Sequence, residues 1–122
     1  MEKICDYNHL KIRYRSIGRG NCIVLLHGYL ENIETWNGFA DELSENFEVI
    51  VPDIPTHGKS ECKEAVDTIE KMSESINVLL NHLKISKAII VGHSMGGYVA
   101  LSFAESYPEK TTGICLLHST PN

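Results

Sequence analysis

The stretch "VGHSMGG", residues 91–97, places Ser94 between Gly92 and Gly96, with Gly97 following. Before it runs "KAII", so residues 87–93 form a continuous apolar segment of the kind found in strands buried on both faces. After it, residues 94 to about 107 read as a helix ended by Pro108. Gly92-His93-Ser94-Met95-Gly96 fits G-x-S-x-G, a pattern that a chain of this size contains by chance only about one time in twenty or thirty. Its position between a strand and a helix gives it chemical meaning, because a sharp strand-to-helix turn lifts a serine hydroxyl clear of a sheet. The two glycines allow strand and helix to approach closely there. The helix N-terminus, with unpaired N–H groups and the positive end of the dipole, favours developing negative charge. A simple capping serine would need neither flanking glycine.

Outward from this point, strands and helices alternate. "KICDYNHLKIRYRSIG" reads as two short strands turning at Asn8, with Leu10, Ile12 and Tyr14 alternating with polar residues. Gly18 and Gly20 end that unit, and residues 22–27, "CIVLLH", form a buried strand. Ile33, Trp36, Phe39, Ala40 and Leu43 draw an apolar stripe that predicts a helix over 33–45, capped by Asn32. Residues 47–53 are a further strand and "IPTHGKS" is a loop. A second helical stripe runs from about Ala65 to Leu83, and 112–119, "TGICLLHS", is a last strand. Alternating strands and helices make an α/β fold, a mostly parallel sheet with helices on both faces. Ligands of such sheets bind at the carboxyl ends of the strands. His27 to Asn32, Asp53 to Ser60 and Gly92 to Gly97 all fall at those ends.

Composition narrows the classes. The 122 residues suffice for one domain, and 43% hydrophobic with 22% charged residues is ordinary for a globular chain. A net charge of −5 without a Lys/Arg cluster argues against nucleic acid as partner. No apolar stretch approaches membrane-spanning length, and "MEKICDYNHL" does not resemble a secretory signal. Cys5, Cys22, Cys62 and Cys115 form no C-x-x-C pair and no zinc spacing. Cys22 and Cys115 lie in apolar runs and are expected to be buried free thiols, which suits the cytoplasm. Neither a metal nor a cofactor is expected.

An acyl-transfer serine also needs two N–H donors for the oxyanion. Met95, next to the serine, offers one; the loop "LLHGYLEN", after the 22–27 strand, offers the N–H of Tyr29. Together, "HGYLEN", "VPDIPTHGKS" and "VGHSMGG" come in the order seen in the α/β-hydrolase superfamily, which this chain resembles over essentially its whole length. The middle stretch resembles that family's D-x-P-G-H-G-x-S loop, with Thr56 in place of a glycine. The resemblance implies Ser94 as nucleophile and the backbone N–H groups of Tyr29 and Met95 as the oxyanion hole. It points to the small esterase, enol-lactonase and haloperoxidase-like group.

The same family order is Ser, then acid, then His. After Ser94 the acids are Glu105 and Glu109 and the histidine is His118, and none is well placed for those roles. His27 is expected to shape the oxyanion loop, His57 to bond backbone in its own loop, and His9 and His82 to lie at the surface. The expectation is therefore residues 1–122 as the N-terminal portion of one hydrolase domain, truncated after the sixth strand, without cap or C-terminal part. It would belong to a serine hydrolase of small esters, lactones or related carbonyl compounds, and would be inactive alone. A lyase of the same fold, of the menaquinone-pathway type, and a non-catalytic binding module are the alternatives. An exposed edge on the last strand would invite pairing, including that of two copies as a homodimer.

Overall fold

The computed structural model describes residues 2–7, 10–27, 37–53, 61–62, 69–93 and 95–117. Strands β1 (Glu2–Tyr7) and β2 (Leu10–Ile17) form the expected antiparallel hairpin, in a register running from Glu2 opposite Arg15 to Tyr7 opposite Leu10. Alternation in β2 buries Ile12 and Tyr14 on one face. β2 pairs antiparallel with β4 (Glu48–Pro52), and from there β3 (Cys22–Leu26), β6 (Ala88–His93) and β7 (Thr111–Leu117) follow in parallel. The order across the sheet is β1-β2-β4-β3-β6-β7. A two-residue strand, β5 (Glu61–Cys62), pairs with Leu10 and Lys11 of β2. It is too short to leave a periodic signal in sequence.

The apolar runs are continuous because each parallel strand feeds two cores. Cys22, Val24 and Leu26 of β3 join Ile50, Ala88 and Ile90 on one face. Ile23 and Leu25 join Val49, Val51 and Val91 on the other. Helices α2 (Ile69–His82) and α3 (Met95–Ser106) cover the first face with Met72, Ile76, Leu79, Leu80, Val99, Ala100 and Phe103. Helix α1 (Asn37–Leu43) covers the second with Ala40 and Leu43. Phe39, one position round the helix from Ala40, stays 43% exposed, so only part of the apolar stripe read from sequence faces inward. Asn32 and Trp36, expected as the cap and first turn of a longer helix, lie outside the described residues.

Helix α3 carries Gly96 and Gly97 in its first turn, each costing about 1 kcal/mol in helix propensity. Full burial of Phe103 alone is worth about 1.5–3 kcal/mol, so packing outweighs that cost. Helix α2 ends with Lys84 in the left-handed region at φ 59, where Ile85 N–H donates to the Leu80 carbonyl at 2.9 Å and Lys84 N–H to that of Asn81 at 3.1 Å. That closure turns the chain into β6. Among the described residues no helix is long and apolar enough to cross a membrane.

One thiol departs from expectation. Cys22 is buried, and so is Cys5, but Cys115 is exposed. Cys115 sits opposite Val91 in the register and so faces the α1 side of the sheet. Helix α1 packs against β4, at the far side of that face, and Cys115 of β7 stays exposed there. An apolar run shows that a strand is sheet-like; it does not show which neighbours cover it. Burial pushes the Cys22 thiol up to about 12, with Glu48 adding to the shift. A thiol held protonated in the fold contributes stability below its unfolded value near 9, and that contribution is lost as pH rises toward 12. Stability measured by urea titration is therefore expected to fall between pH 9 and 11, and to fall less in Cys22→Val; an equal slope in both would remove Cys22 as a cause.

Candidate active site

The carboxyl ends of three neighbouring strands converge. His27 follows β3, Asp53 follows β4, and His93 ends β6. A single residue, Ser94, separates His93 from Met95, the first residue of α3. Strand β6 and helix α3 thus lie one residue apart in sequence, the short spacing that a strand-to-helix elbow requires. Being the first residue of its helix, Met95 has a backbone N–H with no acceptor inside the helix. No acidic residue lies in that first turn to neutralise the dipole.

The glycines explain how strand and helix come so close. A Cβ on Gly92 would lie 2.5 Å from the carbonyl carbon of Gly96 and 2.6 Å from the nitrogen of Gly97. A Cβ on Gly96 would lie 2.7 Å from the carbonyl oxygen of His27, and closer still to that of Leu26. Backbone of β6, α3 and β3 therefore meet without intervening side chains. The glycine pattern of the elbow is thus a contact among three elements, one of them about seventy residues away in sequence.

Beside this contact lies a buried polar cluster. His27 and Asp53 are both fully buried, with His27 Nε2 3.7 Å from Asp53 Oδ1. The other carboxylate oxygen, Oδ2, accepts from Arg13 Nη1 at 3.3 Å, and the Asp53 backbone N–H donates to the Arg13 carbonyl at 2.8 Å. Arg13 belongs to β2, so the cluster ties together three adjacent strands. Sequence reading placed His27 in the oxyanion loop and Asp53 in a family loop, but gave Arg13 no role. Its one signal was a cation within a strand whose neighbours Ile12 and Tyr14 are buried. Among the described residues no group of three or more His, Cys, Asp or Glu side chains is arranged to hold a metal ion.

Ser94 and Tyr29 lie outside the described residues, as do Gly28, His57 and His118. Of Met95 the backbone is described. His82 is exposed, as expected, and Tyr98 is half-buried.

Similarity to other proteins agrees with this geometry. Residues 21–122 match the family model described as the alpha/beta hydrolase fold. An uncharacterised protein of Mycobacterium tuberculosis is 38% identical over 104 residues, covering 85% of this chain and 30% of its own length. A pimeloyl-[acyl-carrier protein] methyl ester esterase of Citrobacter koseri is 35% identical over 113 residues, covering 90% of this chain and 41% of its own. The solved structure of a thermophilic esterase from Thermogutta terrifontis superposes with a TM-score of 0.87 at 34% identity, over 91% of this chain and 41% of that one. The chain therefore spans well under half the length of these relatives.

The glycine contacts are open to a test that needs no substrate. Gly96→Ala is expected to cost about 1–3 kcal/mol or more, because its new methyl group meets rigid backbone. Gly38→Ala, in an exposed stretch of α1 with nothing within 4 Å, is expected to stabilise by up to about 1 kcal/mol. Chemical denaturation of the two variants checks both signs, and equal effects would show that the elbow is not closely packed. With a family model matched over residues 21–122 and a sheet and helices of the corresponding kind, this chain belongs to the α/β-hydrolase fold family.

Proposed function

We propose that the natural protein carrying these residues is a serine hydrolase of small esters, lactones or related carbonyl compounds, with Ser94 as its nucleophile. The observation that carries this is the close backbone contact of Gly92 with Gly96, where β6 and α3 lie one residue apart in sequence at the position of Ser94. In this reading the Ser94 oxygen bonds to the substrate carbonyl carbon while its proton passes to a histidine base. The carbonyl oxygen becomes an oxyanion, held by the backbone N–H groups of Met95 and Tyr29. Collapse expels the alkoxide, which takes the proton from the base, and water then releases the acid. The base and its carboxylate partner are assigned to none of these 122 residues. The names of the Citrobacter and Thermogutta relatives support an ester as substrate class. The thiols of Cys5, Cys22 and Cys115, all unpaired, support a cytoplasmic setting. We also take the outer edge of β7, last in the described sheet order, to be the place where a further strand or a second copy pairs.

Treatment of the natural protein with a fluorophosphonate is expected to leave one adduct on Ser94, seen by peptide mass. Ser94→Ala is expected to lose the adduct and to lower hydrolysis of a para-nitrophenyl ester by about 10³-fold or more. Hydrolysis undiminished in Ser94→Ala would place the nucleophile elsewhere.

A further inference from the structure

We infer that Asp53 is a positioning residue: its carboxylate holds His27, and through His27 it sets the direction in which the chain leaves β3 toward Tyr29 and the oxyanion hole. The inference rests on the serine-hydrolase reading above and adds a residue to it. Two separate contacts meet at His27. Its side chain lies 3.7 Å from Asp53 Oδ1, and its carbonyl oxygen lies against Gly96, where a Cβ would be only 2.7 Å away. One contact anchors His27 to β4 and the other to the helix that begins beside Ser94. Gly28 and Tyr29 follow at once in sequence, so the backbone of the proposed donor starts two residues from a doubly anchored point.

Energetic economy does not explain such a cluster. Burying a carboxylate is costly even when it is paired, and apolar residues of similar volume often serve stability as well or better. Here the carboxylate is fully buried and is held by Arg13 from the opposite side, so its two oxygens point to two different strands. A charge held in this way has a defined position. Apolar packing at the same place would tolerate sliding of β3 against β4. Oxyanion stabilisation depends on donors placed to a fraction of an ångström, and a misplacement of about 1 Å costs about 10²-fold in rate.

Asp53→Asn keeps the shape and removes the charge. His27→Ala removes the side chain, and His27→Gln restores a nitrogen donor near the Nε2 position. Each is made in the natural protein, and reaction of Ser94 with a fluorophosphonate is followed as the maximal rate, kinact, and the half-saturating concentration, KI. Melting temperature is recorded alongside. The expected result is a kinact lowered about 10–100-fold in Asp53→Asn and His27→Ala, with KI moved less than about threefold and most of the rate regained in His27→Gln. Lower melting temperatures with kinact unchanged at 25 °C would overturn the inference and leave the serine reading intact. Should Asp53→Asn fail to fold, the comparison of His27→Ala with His27→Gln decides, since it leaves the Arg13–Asp53 pair in place. No adduct on Ser94 in the wild type would overturn the serine reading and this inference with it.

Discussion

Everything at the carboxyl end of this sheet depends on one steric constraint: the backbone of α3 lies directly on the backbone of β6 and β3. Gly92 and Gly96 leave no room for even a methyl group between them. Such contact is rigid, because neither party has a rotamer that could move aside. It fixes where the helix begins relative to the strand before it. The N–H groups of that first turn, from Met95 on, have no acceptor within the helix.

The remainder of the described fold serves that constraint. Alternating residues of β3, β4 and β6 feed two cores, one under α2 and α3 and one under α1. Phe103, Leu79, Leu80 and Ile76 press the helices onto the sheet strongly enough to tolerate two glycines in the first turn of α3. The N-terminal hairpin contributes Arg13, whose guanidinium supplies the countercharge that a buried Asp53 requires. A strand remote from the elbow in sequence thus contributes to the electrostatics beside it.

A buried ion pair often adds less to stability than apolar packing of the same volume would. Asp53 stands between Arg13 and His27 on the strand that lies between theirs, and the order β2-β4-β3 makes this possible.

Sequence by itself determined the principal element types, the six principal strands and the junction of β6 with α3. Periodicity and the G-x-S-x-G spacing are local properties, written into consecutive residues and enforced by local backbone sterics. Only tertiary structure decided which of the apolar residues are covered. Cys22 and Cys115 look alike in sequence, yet one is buried in the middle of the sheet and the other is exposed on its last described strand. Only tertiary structure brought Arg13 to Asp53, 40 positions apart, and showed that Gly96 of α3 packs against the end of β3 as well as against Gly92 of β6. Those relations depend on strand order and helix placement, which arise from the summed packing of the whole chain and leave no mark on any short stretch of it.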